Sequence, residues 1–381
     1  DCQRTERALK LLGVPISMHD GRMEIRGLGS IQGFQNPSRV LDCGNSGTTA
    51  RLLCGLLAGS ITTARLTGDR SLRGRPMDRV LFPLQELGAH IRGAKGGTRL
   101  PVTIHGTALH GGSVRMAVAS AQVKSALLLA GLHADSPVRL KECRPTRDHT
   151  ERLLRMMGAE LFEESGDLVL HPSGIHSPGH LEIPGDASSA AFFAVGAAMQ
   201  PGAELFLEKV LVNPLRTRYL EVLRAMGATV EVLESRDDWE PVGTIRVGGA
   251  PLHGIEISQE QIPEIIDELP VLAVAMAKAE GPSSISGAGE LRHKESDRIS
   301  VMVRELKAFG AEIEETSDGF RIQGGRPLHA PLTCHPSGDH RIAMSLAILG
   351  TIASGVTRID QASCIRISFP EFSRELGRLL V

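Results

Sequence analysis

LRMMGAEL, at residues 154–161, holds the reading that decides the fold. Apolar residues at helical spacing run into Gly158, and a short apolar–polar alternation follows. A glycine at that place takes the left-handed conformation cheaply and turns a helix into a strand. The phrase recurs as LKLLGVPI at 9–16, LQELGAHI at 84–91, LRAMGATV at 223–230 and LKAFGAEI at 306–313, with a weaker copy, RELGRLLV, at 374–381. The six glycines, Gly13, Gly88, Gly158, Gly227, Gly310 and Gly377, stand 67 to 83 residues apart. Six copies at that period predict a repeated αβ unit. The period is too long for a solenoid, so the units are expected to gather into compact lobes. Three units per lobe make about 190 residues, an ordinary domain size. The predicted boundary lies near Leu181–Gly185, giving an N-terminal lobe over 1–183 and a C-terminal lobe over 184–381.

Between the helices, strands are expected at RLTGD (65–69), VTIHG (102–106), LVLHP (168–172), IRVGG (245–249) and FRIQGG (320–325). The first unit has only 12 residues before its glycine. A full first unit would place about 50 further residues ahead of Asp1, and that is the expectation from the period.

Composition narrows the function. Of 381 residues 41% are hydrophobic, enough for a sizeable core, while aromatics are only 3%, with one Trp and one Tyr. Stacking platforms for single-stranded nucleic acid are therefore not expected. Net charge is −2, which lacks the basic excess of a nucleic-acid binder. Any positive field has to be built locally. The longest apolar stretches, 126–132 and 190–199, fall short of the roughly 20 residues of a membrane span, and no signal peptide is expected. Six cysteines without a CxxC pair, and histidines without zinc spacing, point to reduced thiols in a cytoplasmic setting and to no metal site. Gly27, Gly29 and Gly33 have the wrong spacing for a dinucleotide fingerprint.

Eight polar phrases interrupt the pattern at strand-to-helix junctions. NSGTTARL (45–52) opens an apolar helix expected over 50–58, where free N–H groups suit an anion. Ser and Thr also cap helices everywhere. GDRSLRGRPMDR (68–79) holds a dense set of arginines, among which Arg75 beside Pro76 is selected, since its planar fork matches phosphate and carboxylate; a solvated charged face is the plain alternative. SAQVKSALLLAGL (120–132) offers Ser120 and Gln122, PTRDHTER (145–152) offers Thr146, and IPGDASSAAFF (183–193) reads as a cap at Asp186. IDELP (266–270) sets Asp267 and Glu268 before an apolar helix expected over 271–278. RHKESDR (292–298) puts the ammonium of Lys294 beside the carboxyl group of Glu295, a pairing that can tune an acid for proton transfer. Arg298 follows four residues after Lys294, on the same face if both are helical. DHRIAM (339–344) places Arg341 at the head of another apolar helix.

Taken in order, NSGTTARL, GDRSLRGRPM, SAQVKSA, TRDHTER, GDASSA, IDELP, KESDR, DHRIAM and SFPEF resemble the enolpyruvyl transferases over essentially the whole chain. The resemblance implies an α/β fold of two similar lobes, each of three βαβαββ-type units, arranged as an inside-out α/β barrel. It is closest to the branch that joins phosphoenolpyruvate to the 5-hydroxyl of shikimate 3-phosphate and releases phosphate, in aromatic amino acid biosynthesis. It implies no cofactor, small-molecule partners only, a monomer, and lobes that close over the substrates. By the same resemblance Gly47, Arg75, Gln122, Arg298 and Arg341 contact phosphoenolpyruvate. Ser120, Ala121, Gln122, Thr146, Asp267 and Lys294 contact shikimate 3-phosphate. Asp267 accepts the proton of the 5-hydroxyl, and Glu295 donates one to the enol carbon. Inhibition by glyphosate is expected because Gly47 and Thr48 are retained. The sequence departs from the family in three places. An N-terminal Lys-Ser phrase is absent, Ile367 stands where some members carry Lys, and Leu52 where some carry Pro. Two other readings stay open. The UDP-N-acetylglucosamine branch uses a loop cysteine at the position of Arg70, and a fragment without its N-terminal piece would be non-catalytic.

Overall fold

The structure is a computed structural model that describes residues 2–380. The chain divides into two compact units, Asp1–Leu181 and Glu182–Val381. Each has its own apolar core.

In the first unit, strands Leu41–Asp42, Thr63–Thr67, Arg99–His105 and His90–Gly93 lie side by side in that order. The first pair is parallel, and the rest antiparallel. Helix Gly47–Ala58 bridges the parallel pair, and helix Asp78–Glu86 leads into the closing hairpin. This is a βαβαββ unit. The same order recurs with strands Gly112–Arg115, Val138–Lys141, Asp167–Leu170 and Leu161–Glu164, and helices Ala121–Gly131 and His149–Met156. Ahead of both stand helix Cys2–Leu11 and the hairpin Ile16–His19/Arg22–Ile25.

The second unit repeats the theme. Strands Glu204–Leu211, Pro241–Gly248 and Thr229–Asp237 form one sheet, extended by a parallel bridge between Gly185 and Val210. Strands Glu256–Ile257, Gly281–Ile285, Phe320–Gly324 and Glu312–Glu315 form another. A third parallel pairing, His329 with Ser354 and Cys334 with Ile359, flanks helix His340–Gly350.

Burial explains the layering. The strands alternate, as in Pro241–Gly248, whose odd positions are all buried. One face of such a sheet meets the core and the other meets water. Helices Gly47–Ala58, Ala121–Gly131, Ala187–Ala198 and Leu269–Lys278 are instead buried nearly all round. They are therefore the inner layer. Gly55 makes one crossing possible, because a Cβ there would lie 2.0 Å from the Ala126 carbonyl oxygen. In the second unit Phe192, Phe193, Phe369 and Phe372 pack with ring centroids 5.6 to 6.0 Å apart. Trp239 donates its indole N–H to the Glu182 carbonyl at 3.1 Å.

Five of the six repeat glycines turn a helix into a strand with φ between 87° and 108°. Gly377 does not. It lies inside helix Phe372–Leu379. The other five are followed by Ala or Val and a strand, whereas Arg378, Leu379 and Leu380 favour helix. Arg378 also pairs with Glu375 one turn back at 3.1 Å.

Candidate functional site

In the first unit the chemistry gathers at the head of helix Gly47–Ala58. Ser46 caps it by accepting from the Thr49 N–H at 3.1 Å, so the helix starts three residues earlier than the apolar run suggested. Gly47 is thereby the first helical residue, its N–H at the positive end of the helix. The space over its α-carbon is lined by arginine. A Cβ there would stand 3.0 Å from Arg51 Nη1 and 3.5 Å from Arg75 Nη1. Arg75 Nη2 donates to Asn45 Oδ1 at 2.6 Å, and Asn45 Nδ2 to Asp69 Oδ2 at 2.8 Å. Asp69 also caps the short helix Arg70–Gly74. Arg70 and Arg73 in the same phrase are exposed, so the solvated-face reading holds for them and not for half-buried Arg75.

Gln122 is held from both ends. Its Oε1 accepts from Arg51 Nη1, and its Nε2 donates to Thr48 Oγ1 at 2.8 Å. Arg51 also donates to the Pro76 carbonyl at 3.2 Å. This buried arginine was not selected from the sequence. Its signal was there, a lone cation in an otherwise apolar helix. Gly47, Arg75 and Gln122 are thus brought together, with Arg51 at their centre. Ser120 precedes helix Ala121–Gly131 and makes no capping bond with its side chain, so its hydroxyl is not spent on the helix end. Thr146 lies before helix His149–Met156, and its hydroxyl donates to Glu142 Oε1 at 2.7 Å. To donate to a phosphate it would have to leave that carboxylate.

In the second unit the centre is Arg298, 2% exposed. Its Nε donates to Asp339 Oδ2 at 2.9 Å and its Nη2 to Glu295 Oε2 at 2.6 Å. Its Nη1 stands 3.6 Å from Asp267 Oδ1, and Lys294 Nζ reaches the same oxygen at 3.8 Å. Lys294 and Arg298 therefore do converge, but not by helical phase. Lys294 has extended backbone after a 3-10 turn, and Asp297 caps a helix that begins only at Arg298. Arg298 rather than Lys294 donates the hydrogen bond at Glu295, and a guanidinium there favours the ionised carboxylate.

Arg341 Nη1 donates to the Asp267 carbonyl at 2.9 Å and lies 3.7 Å from Glu268 Oε1. Glu268, wholly buried, also accepts from Ser188, whose oxygen accepts from Arg216 at 2.6 Å. Asp186 caps helix Ala187–Ala198, as read from the sequence. Asp339 caps helix His340–Gly350 through the Arg341 N–H at 3.0 Å while it holds Arg298. Burial alone would push the Asp339 carboxyl up, but the Arg298 guanidinium outweighs it and holds the group below the usual carboxylate range. Burial, then Arg341, push His340 below the ordinary histidine value. Ile367 and Arg366 are both exposed.

Both units therefore present arginines against fixed oxygen acceptors, and the second sets Lys294, Asp267 and Glu295 beside them. Among the described residues no helix is long and apolar enough to cross a membrane. The family model of EPSP synthase (3-phosphoshikimate 1-carboxyvinyltransferase) matches residues 1–376. A 3-phosphoshikimate 1-carboxyvinyltransferase of Herpetosiphon aurantiacus is 48% identical over 100% of this chain and 88% of its own length. One from Synechococcus sp. (strain RCC307) is 49% identical over 98% and 87%. The solved EPSP synthase of Acinetobacter baumannii superposes with a TM-score of 0.85 at 40% identity, covering 99% of this chain and 87% of that one. With that likeness running through both units, the chain belongs to the EPSP synthase family.

Proposed function

We propose that this chain transfers the enolpyruvyl group of phosphoenolpyruvate to the 5-hydroxyl of shikimate 3-phosphate and releases phosphate. The observation that carries the reading is the carboxylate of Asp267, placed within 4 Å of both Lys294 Nζ and Arg298 Nη1. Cations at that distance favour the ionised carboxylate, the form that can take a hydroxyl proton. In this reading the 5-oxygen attacks C2 of phosphoenolpyruvate as Asp267 takes its proton, and C3 receives a proton from Glu295. Glu295, now a carboxylate, takes a proton back from C3, which restores the double bond while the bond from C2 to the phosphate oxygen breaks and phosphate leaves. Glu295 must be protonated first, against the pull of Arg298. A phosphoenolpyruvate anion that draws Arg298 toward itself relieves that pull.

Gly47, Arg75, Gln122, Arg298 and Arg341 hold the phosphoenolpyruvate anion in the same reading, with Arg51 added to the set. Ser120, Ala121, Gln122, Thr146, Asp267 and Lys294 hold shikimate 3-phosphate. The test is phosphate release that requires both substrates. Asp267→Ala and Glu295→Gln are expected to slow it by about 10²–10⁴-fold, the usual worth of positioned acid–base groups. Near-normal turnover of either variant rejects that residue's role.

A further inference from the structure

Lys124 takes no part in the chemistry above, yet it is the one lysine buried among the described residues, 1% exposed. It sits on helix Ala121–Gly131, two residues after Gln122, between Val123 and Ala126, both fully buried. A lysine is rarely buried in this way unless its charge is met. Here Nζ lies 2.5 Å from Glu151 Oε1, 3.1 Å from Glu142 Oε2 and 3.2 Å from the Thr146 carbonyl oxygen. Three acceptors match the three donors of an ammonium. They come from two parts of the chain: the connection after strand Val138–Lys141, which holds Glu142 and Thr146, and the first turn of helix His149–Met156. Ser125 and Thr150 add a hydroxyl pair at 2.6 Å between the same two helices. The second oxygen of Glu142 accepts the Thr146 hydroxyl.

The cluster is poorly suited to stabilise the core for its own sake. Two carboxylates meet one ammonium, and Glu151 Oε2 is buried without a hydrogen bond among the described residues. Apolar side chains of similar volume commonly serve stability as well or better. What the cluster does achieve is register. We propose that Lys124 is a positioning residue for shikimate 3-phosphate. Its ammonium pins the 142–146 connection to the helix headed by Ser120, Ala121 and Gln122, and so sets where Thr146 stands. The inference rests on the reading that Ser120 and Thr146 contact that substrate.

Steady-state kinetics with each substrate varied separately test it, on the intact enzyme. Lys124→Met is expected to raise KM for shikimate 3-phosphate about tenfold and leave KM for phosphoenolpyruvate within about twofold. Lys124→Met/Glu151→Met removes the unpaired buried charge, so it is expected to regain thermal stability but not the shikimate 3-phosphate KM. Glu142→Gln keeps the volume and is expected to raise the same KM severalfold. A stable double variant with wild-type KM overturns the proposal, as does an unchanged KM in Glu142→Gln when Thr146→Val raises it. If Thr146→Val itself leaves that KM unchanged, the substrate reading falls and the proposal with it.

Discussion

Gly47 shows how much one missing methyl group decides. The space a Cβ would take is the space onto which Arg51 and Arg75 converge. Both contacts are with side-chain ends, so Gly47→Ala should fold and instead push the guanidinium groups apart. The expected result is a KM for phosphoenolpyruvate raised about tenfold, with weaker inhibition by glyphosate. Titration of the wild type and Gly47→Ala with each ligand checks this, and unchanged constants reject the crowding argument. At this scale the polar candidates were visible in the sequence and their buried supports were not. Arg75, Gln122, Lys294 and Arg341 stand in polar phrases, where charge attracts notice. Arg51, Lys124 and Asp339 stand at or inside apolar helices, and only the folded chain shows that each is met by a fixed partner. Like charge counts and spacing rules, a motif reports which groups are present; it does not report which carboxylate a buried cation will choose.

Among the elements, the helix pair Gly47–Ala58 and Ala121–Gly131 carries at its two heads Gly47, Arg51 and Gln122, the residues proposed to hold phosphoenolpyruvate. Their approach is set by Gly55 against the Ala126 carbonyl. Gly55→Ala forces backbone apart rather than a flexible side chain, and overpacking of a tight core costs about 1–3 kcal/mol. The variant is therefore expected to lose about 3 kcal/mol in urea unfolding and to raise KM for phosphoenolpyruvate as the heads shift. A loss under about 0.5 kcal/mol would show that the crossing has slack. Five helix–glycine–strand turns were legible because an αL glycine leaves a mark in one chain position. The phase of RHKESDR was not, because a helix beginning at Arg298 rather than Lys294 depends on the Asp297 cap and on Arg292, which ties that loop to the Thr316 and Ser317 carbonyls at 2.7 and 2.9 Å.

Across the whole molecule, two buried carboxyl groups, one in each unit, respond to pH with opposite sign. In the second unit Asp339 is held below its ordinary value of about 3.9. Its contribution is present above that value and is lost as pH falls through the lower native one. In the first unit burial raises Glu151, with Lys124 opposing. A raised carboxyl contributes stability below its ordinary value of about 4.3, and that contribution is lost as pH rises through the native one. Asp339→Asn is expected to lose about 3–5 kcal/mol at neutral pH, since it breaks a buried pair, and to flatten the acid limb of the second unit. Hydrogen exchange followed by peptide across a pH series reads the two units separately. A wild-type acid limb in Asp339→Asn rejects the assignment. The division into units has one more consequence. Trp239 and Tyr219 are the chain's single tryptophan and single tyrosine, and both belong to the second unit. Tryptophan and tyrosine emission therefore comes from that unit alone, and a melt followed by it reports the second unit and not the first. Phe82→Trp combined with Trp239→Phe would move the reporter to an exposed position of the first unit, and the melts of the two units could then be compared protein against protein.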